Sequence, residues 1–177
     1  MIEIVPYNPA WPAAFALERD RLQAALGDLA LRIDHNGSTA VPGLAAKPVI
    51  DIQISVASLQ NVAAYAAPLE QLGYSHLAHA DDERCPFFYR PSAWPHTHHL
   101  HIVEAGGEEE RRTLAFRDYL RGHADAAREY AALKRELAAE HGGGSADARE
   151  AYATAKTSFV SRILDAALPG FVVRPGV

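Results

Sequence analysis

One short stretch of the sequence carries polar side chains at alternate positions of an otherwise apolar strand. Residues 49–56 read VIDIQISV, and isoleucine or valine occupies each even-numbered position. Because side chains alternate between the two faces of a strand, Asp51 and Gln53 share the face opposite this apolar one. A carboxylate in such a place can ligate a metal ion. We therefore predict that this polar face meets a ligand, an ion or water.

A second predicted strand carries histidines in the same arrangement. Residues 98–102 read HHLHI, so His99 and His101 fall on one face. If the two strands are neighbours with their apolar faces together, these histidines converge with Asp51 and Gln53, although a register slip of one residue would separate them. Carboxylates suit Mg²⁺, whereas imidazoles favour Zn²⁺, Mn²⁺ and other transition metals. Two roles remain open for the histidines: ligands or catalytic groups, and hydrogen-bonded structural residues.

A glycine–serine pair precedes the acidic strand. Gly37 and Ser38 follow a predicted strand and lie shortly before Asp51 in the chain. The backbone amides and the hydroxyl of such a turn can hold a phosphate next to a carboxylate-bound metal. The dipeptide is common in ordinary turns, but an acid on an alternating strand soon after it makes the combination more specific. We predict a phosphate contact at Gly37 and Ser38.

Two tyrosine–lysine pairs occur in the second half of the chain. Tyr130 with Lys134, and Tyr152 with Lys156, each stand one helical turn apart on one face. An aromatic ring can stack on a base and an ammonium can neutralise a phosphate, so the pairs are candidate nucleotide contacts. The alternative is that both tyrosines are half-buried core residues with the lysines extending over them.

A mixed sheet is needed to bring these residues together, and the first 105 residues predict one. Apolar periodicity predicts a helix at 11–26 and another between Ser58 and Gly73. Alternating or β-branched runs predict strands starting near Leu29, at 49–56, and at 74–78, 86–90 and 98–104. After Gly106 three helices are expected, the last of them capped by Asp147 with Glu150. The pattern indicates an α+β fold, a mixed sheet with flanking helices followed by a helical segment.

Composition excludes several classes of protein. The chain has 177 residues, of which 49% are hydrophobic, so it can bury an ordinary core. Its net charge of -5 argues against broad nucleic-acid binding. Its single cysteine, Cys85, cannot form an internal disulfide, which fits a reducing compartment. Neither a membrane-spanning run nor a secretory signal is visible, and we expect a cytoplasmic protein without membrane contact.

Several longer motifs make the sequence resemble the GrpB family. They are HNGSTAVPGLAAKPVIDI at residues 35–52, HHLH at 98–101, FRDYLR at 116–121 and the two tyrosine–lysine pairs, after an opening VPYNPAW at 5–11. The resemblance covers nearly the whole chain and implies one domain over 1–177, with a nucleotidyltransferase-like core at 1–105 and helices at 106–177. That family is assigned to the nucleotidyltransferase superfamily and also occurs fused behind dephospho-CoA kinase.

The resemblance implies a site in which two metal ions promote transfer of a nucleotidyl group. Position by position, Gly37 and Ser38 match the phosphate turn and Asp51 matches the first acid. Gln53 stands at the second acid, and the strand expected to carry the third offers His99 and His101. The implied function is nucleotide and metal binding, with nucleotidyl transfer to an unknown acceptor. The alternative is a non-catalytic nucleotide-binding, folding or interaction module.

The expected nucleotide is ATP or GTP. The expected cofactor is a divalent metal ion, either Mg²⁺ or Mn²⁺, or else Zn²⁺ or another transition metal. Whether the chain has a protein partner is left open. Three sets of residues are expected to carry these functions: the catalytic set is Asp51, Gln53 and His101, the metal ligands are Asp51, His99 and His101, and the nucleotide contacts are Gly37, Ser38, Lys47, Tyr130, Lys134, Tyr152 and Lys156.

Overall fold

The computed structural model describes residues 2–78, 83–141 and 145–170. Five strands form one mixed sheet, and helices flank it and continue beyond it, which confirms the predicted α+β fold class. The strands are β1 (Arg32–Asn36), β2 (Ile50–Val56), β3 (Ser75–Leu77), β4 (Phe87–Arg90) and β5 (His98–Glu104). The helices are α1 (Trp11–Leu26), α2 (Val62–Gln71), α3 (Glu108–Gly122), α4 (Ala124–His141), α5 (Ala146–Thr154) and α6 (Thr157–Ala167).

The sheet has the spatial order β1-β2-β5-β4-β3. Strands β2 and β5 pair in parallel at its centre, and the other neighbours are antiparallel. Asp51 is the partner of His99 and Gln53 is the partner of His101 in the central pair. The predicted register therefore holds without a slip, and the acidic strand lies next to the histidine strand.

One face of the sheet forms the main hydrophobic core with α1 and α2. The even-numbered side chains Ile52 and Ile54 are fully buried there, together with Leu100 and Ile102 of β5. Helix α1 begins with Pro12 in its first turn, where no amide hydrogen bond is lost, and contributes buried leucines to this core. Because the apolar residues occupy this face, the polar residues at the odd-numbered positions of β2 and β5 point to the other.

The opposite face is attached to helix α3 by polar contacts from β2. The Ser55 hydroxyl donates to the Glu110 carboxylate, which also accepts from the amide of Gly106 at 2.7 Å. One turn later on the helix, the Thr113 hydroxyl donates to the Gln53 side-chain oxygen. A second apolar cluster then joins the loop at 41–45 to the C-terminal helices, with Leu44, Leu120 and Phe159 buried in it.

Several predicted boundaries were wrong for local reasons. The first strand begins at Arg32 rather than near Leu29, because Leu29 ends a short 3₁₀ turn, Gly27–Leu29. Ser58 does not cap α2: its hydroxyl accepts from the amide of Gln60, and the helix starts at Val62. The third C-terminal helix is two helices, α5 and α6, and the cap of α5 is Ser145, whose hydroxyl accepts from the amide of Ala148 at 3.1 Å.

Across the described ranges, the helices are too short or too polar to traverse a lipid bilayer.

Candidate functional site

The predicted convergence on the polar face of the sheet is confirmed for its acidic centre. Asp51 Oδ1 lies 3.3 Å from Nδ1 of His99, and the two side chains are 28% and 22% exposed. Burial alone would raise the pKa of Asp51, but the hydrogen bond from His99, with the charges of His99, His101 and Lys156, holds that pKa below its ordinary value. Asp51 is therefore an ionised, solvent-reachable carboxylate inside an electropositive setting.

Gln53 occupies the same face but lies beneath the surface. Its side chain is fully buried, and its oxygen accepts from the Asn36 amide at 3.2 Å and from the Thr113 hydroxyl. Within the described part of the chain, its amide nitrogen has no hydrogen-bond partner. The side-chain oxygen at the position that matches the second acid thus connects β1, β2 and α3, and this arrangement gives the predicted catalytic residue Gln53 a structural position.

The glycine–serine turn lies directly beside Asp51. Gly37 has a positive φ of 65°, and the chain continues from it into a 3₁₀ turn, Ser38–Ala40. The Ser38 hydroxyl accepts from Nζ of Lys134 at 2.9 Å, and the same ammonium donates to the carbonyl of Ala45 at 2.6 Å. Lys134 of α4 therefore holds two parts of the loop that precedes β2.

Two arginines of α3 hold the ends of this turn. Arg117 donates to the carbonyl of His35 at 3.1 Å, and Arg121 donates to the carbonyl of Ala40 at 2.9 Å. They stand one helical turn apart, so a single face of α3 reaches both carbonyls. Sequence reasoning did not assign them a role, although the FRDYLR motif at 116–121 contains both.

His35 precedes the turn and is a neutral structural residue. Its ring stacks on Phe15 with centroids 4.7 Å apart, and its Nε2 lies 3.0 Å from the Thr39 hydroxyl. Burial lowers the pKa of His35 to about 4. The imidazole therefore supports the turn from the side of the main core.

Both tyrosine–lysine pairs face the cleft, but the tyrosine rings belong to the core. Tyr130 is 6% exposed and stacks on Phe159 at 4.8 Å, while Tyr152 is 1% exposed. Nζ of Lys134 lies 4.6 Å from the centroid of the Tyr130 ring. The burial of the rings agrees with the alternative in which the tyrosines are core residues, and base stacking on them stays a prediction.

Tyr152 brings two further ammonium groups together. Nζ of Lys47 lies 4.1 Å from its ring centroid and Nζ of Lys156 lies 4.5 Å from it. Burial, followed by the charges of Lys156 and other nearby cations, lowers the pKa of Lys134 to about 7, while Asp51 opposes this shift. Burial also lowers the pKa of Lys156. The three ammonium groups therefore crowd one another in a partly desolvated space.

These groups line a cleft of about 1090 Å³. Its polar lining includes Asp51 and Glu150 as carboxylates, against the three ammonium groups and three histidines, His96, His99 and His101. The sequence contains three lysines in total, and all three line this cleft; every other permanent cation among the 177 residues is an arginine. The cleft is electropositive in a chain whose net charge is -5.

The wall of the cleft formed by β4 and the turn after it is aromatic. Tyr89 stacks on His96 with centroids 4.4 Å apart, and Trp94 meets the same imidazole edge-on at 5.1 Å. His96 Nδ1 lies 3.1 Å from Nε2 of His99, so this loop residue also lines the cleft. The sequence marks this segment only by its prolines and aromatic residues.

The donor groups do not fit a two-metal centre. In residues 2–78, 83–141 and 145–170, no group of three or more His, Cys, Asp or Glu side chains is arranged to hold a metal ion. Asp51 and His99 bond directly to each other, His101 Nδ1 lies 3.8 Å from the Cys85 sulfur, and Gln53 is buried. Asp51 is one carboxylate surrounded by cations, which favours an anionic ligand over a pair of resident divalent ions.

Comparisons of the sequence and of the structure with known proteins find members of the same family. A family model described as GrpB protein matches residues 1–166. A UPF0157 protein of Pseudomonas aeruginosa is 41% identical over 170 residues, covering 94% of this chain and 68% of that protein. The crystal structure of the conserved protein GrpB from Enterococcus faecalis superposes with a TM-score of 0.82 at 34% identity, covering 94% of this chain and 97% of that one. A dephospho-CoA kinase of Mycolicibacterium paratuberculosis is 36% identical over 171 residues, covering 83% of this chain and 42% of that protein.

Proposed function

The chain belongs to the GrpB family, and from this premise we propose that its large cleft binds a nucleotide, ATP or GTP, through the phosphates. The observation that carries the proposal is the convergence of all three lysines of the chain, Lys47, Lys134 and Lys156, on one cleft beside Ser38. Like charges crowded in a desolvated space repel one another, and a polyanion relieves that repulsion.

The phosphates fit the end of the cleft that contains Ser38. Lys134 donates to Ser38 and to the loop before β2, so its ammonium is fixed in position before a ligand arrives. Nζ of Lys47 and Nζ of Lys156 lie 4.1 and 4.5 Å from the centroid of the Tyr152 ring, so both ammonium groups lie in the same part of the cleft. A phosphate bound among them would keep Lys134 charged, because a nearby anion raises the pKa of an ammonium.

The base fits the aromatic end of the cleft. Tyr89, Trp94 and His96 form a stacked and edge-on group on β4 and the following turn. Base–aromatic stacking tolerates different bases, because every base has a π face. The volume of about 1090 Å³ exceeds what a nucleotide needs, so the cleft can also accept part of a second molecule.

A divalent cation would enter this cleft together with the nucleotide. Asp51 would be its protein carboxylate, with phosphate oxygens completing the oxygen ligands that Mg²⁺ or Mn²⁺ requires. His99 bonds to Asp51 and would orient that carboxylate. The cation would supply charge neutralisation of the phosphates.

Two forms of the proposal differ in whether a nucleotidyl group is transferred. The ionised, reachable carboxylate of Asp51 favours transfer to an acceptor. The burial of Gln53 removes the second acidic position from the cleft and favours a nucleotide-binding module. We favour the module; its relation to a dephospho-CoA kinase chain would make it an accessory domain there.

The lysine content allows a direct test by chemical labelling. Acetylation of amines by a small reagent can modify three lysines and the N-terminal amine, and peptide mass spectrometry separates the four positions. We expect ATP or GTP to protect Lys47 and Lys156 and to leave the N-terminal amine unchanged. Equal modification with and without nucleotide at all three lysines would contradict the proposal.

Thermal unfolding with nucleotides supplies the second measurement. ATP or GTP should raise the melting temperature, with or without Mg²⁺ or Mn²⁺, and Lys156→Met should abolish the rise. Arg128→Gln is the matched control, because it removes one positive charge from a residue that is 73% exposed and does not line the cleft. Pyrophosphate release that disappears in Asp51→Ala would favour transfer, and binding without release would favour the module.

A further inference from the structure

A second and smaller cavity lies on the other side of Asp51. It has a volume of about 240 Å³ between the polar face of the sheet and helices α3 and α6. Asp51 and His101 line both this cavity and the large cleft, so the two spaces meet at these side chains. The cavity does not include any of the three lysines. Its size limits it to a small molecule, well below a nucleotide.

The polar end of the cavity contains a buried donor that lacks an acceptor among the described residues. Nε of Arg112 is buried and has no hydrogen-bond partner within the described residues. Asn36 and Thr113, which donate to the Gln53 oxygen, also line the cavity and add polar groups near Arg112. Buried donors usually find an acceptor, and each one left alone costs free energy. A ligand with acceptor oxygens would supply the missing hydrogen-bond partner.

The charge near Arg112 favours an anionic acceptor. Arg112 and Arg84 both pair with the carboxylate of Glu109, at 3.1 and 3.2 Å. Two guanidinium groups share the carboxylate of Glu109, so that carboxylate can balance only one of their two charges. A carboxylate on the ligand would balance that charge and accept from the arginine.

The rest of the lining defines the remainder of the ligand. Phe116, Val160 and Leu164 form an apolar wall. Asp51 is a pure acceptor when ionised, so it requires a donor on the ligand. His99, His101 and Lys156 already surround Asp51 with positive charge, which disfavours an ammonium and favours a neutral hydroxyl as that donor.

We propose that this cavity is a second ligand site, which takes a small 2-hydroxy carboxylate with a branched apolar chain. Its carboxylate would accept from Arg112, its hydroxyl would donate to Asp51, and its apolar chain would pack on Phe116 and Leu164. This goes beyond nucleotide binding, because Arg112 and the apolar wall line this cavity and not the large cleft, and because the ligand class differs; Asp51 is shared by the two sites. A molecule bound here would present its hydroxyl at the boundary between the two spaces.

The test is calorimetric titration with 2-hydroxy-4-methylpentanoate. The expected result is binding to the natural protein, with affinity about tenfold or more weaker for leucine, which has an ammonium, and for 4-methylpentanoate, which lacks the hydroxyl. Val160→Phe fills the cavity from its partly exposed rim and should abolish binding, whereas Val160→Ala should retain it. Arg112→Gln should abolish binding, while Arg111→Gln removes the same charge from the exposed side of α3 and should leave it intact.

The outcomes separate this proposal from the nucleotide proposal. Lys156→Met should lose nucleotide protection and retain hydroxy-acid binding, whereas Val160→Phe should do the reverse. Failure of 2-hydroxy-4-methylpentanoate to bind, or binding that Val160→Phe and Arg112→Gln leave unchanged, would overturn the second site. Equal affinity for leucine or 4-methylpentanoate would overturn the ligand class.

Discussion

The carboxylate of Asp51 packs against the α-carbon of Gly37. A Cβ built at position 37 would lie 2.8 Å from Cγ of Asp51, which is closer than real Cβ contacts come. Gly37 also has a φ of 65°, a region that side chains disfavour. The glycine is thus required twice, once by its own backbone and once by the acid beside it. Because no side chain separates Gly37 from Asp51, the turn that contains Ser38 can lie directly against this carboxylate.

Gly37→Ala should therefore cost both stability and ligand binding. The alanine would displace the Asp51 side chain and strain the turn, and we expect a loss of about 2 kcal/mol in the free energy of unfolding. Urea denaturation measures this loss, and nucleotide protection of Lys156 from acetylation measures the displacement of the site.

Gly43→Ala is the matched control for that variant. Gly43 has a φ of 79°, but a Cβ there would meet no atom within 4 Å. Gly43→Ala should lose only the stability that a positive φ costs an alanine, and nucleotide should still protect Lys156 from acetylation in this variant. Equal losses of stability and of protection in both variants would contradict the importance of the contact between Gly37 and Asp51.

Strand alternation was sufficient to predict the centre of the site. The period of two placed Asp51 and His99 on one face, and the structure pairs them in register. The burial of Gln53 could not be predicted, because it depends on Thr113, which lies 60 positions further along the chain on a different helix. Alternation shows which face a side chain takes, but the depth of burial depends on what covers that face.

The grouping of the three lysines in the large cleft shows the same limit of prediction from sequence. The two tyrosine–lysine pairs were visible from helical spacing, but their proximity to Lys47 depends on how α4 and α5 pack against the loop before β2. Arg121 was equally invisible, because its partner is a backbone carbonyl, and every residue has one. Long-range packing and backbone acceptors leave no local periodicity to detect.

Gln53→Glu should fail to create a metal site and should introduce a pH-dependent loss of stability. The new carboxylate oxygen would replace the buried amide nitrogen that lacks a partner in the described structure. Burial raises the pKa of such a group, so the folded protein holds the proton at a pH where the unfolded chain has lost it. Stability then falls as pH rises above about 4.3, the pKa of an unfolded glutamate.

Urea denaturation at pH 5 and pH 8 tests this prediction. We expect the free energy of unfolding of the variant to be close to that of the natural protein at pH 5 and about 2 kcal/mol lower at pH 8. Gln53→Met, which has no titratable group, should show a loss that does not change with pH. Stabilisation of the glutamate variant by Mn²⁺ at pH 8 would instead show that position 53 can reach a metal.

Arg121→Gln should loosen the glycine–serine turn while leaving the fold intact. The guanidinium donates to the carbonyl of Ala40 at the end of the turn, and its side chain is 38% exposed. Loss of this hydrogen bond should lower the free energy of unfolding by about 1 kcal/mol. Because the turn is proposed to contact the phosphates, a loss of the same size in binding energy would weaken nucleotide affinity roughly fivefold.

Hydrogen exchange of the amides at 38–41 provides a readout that does not depend on the ligand. Exchange should accelerate in Arg121→Gln and remain unchanged in Arg128→Gln, whose position is 73% exposed on α4. Unchanged exchange in both variants would mean that the arginine does not hold the turn.

Lys134 should make both stability and anion binding depend on pH above neutrality. Its pKa is about 7 in the folded protein against 10.5 for an ordinary lysine, because it is buried and near other cations. Between these two values the unfolded chain holds a proton that the folded protein has released. Stability should therefore rise with pH, by up to about 1.4 kcal/mol per pH unit, and Lys134→Met should remove this rise.

Anion binding should show the opposite dependence on pH. A phosphate favours the charged ammonium, so nucleotide binding above pH 7 must take up a proton, and affinity should fall between pH 7 and pH 9. Calorimetry of ATP binding at pH 8 in two buffers with different ionisation enthalpies measures this uptake directly. Lys134→Met should bind ATP more weakly at pH 6 and take up fewer protons at pH 8. Proton uptake equal to that of the natural protein in the methionine variant would place the titrating group elsewhere in the cleft.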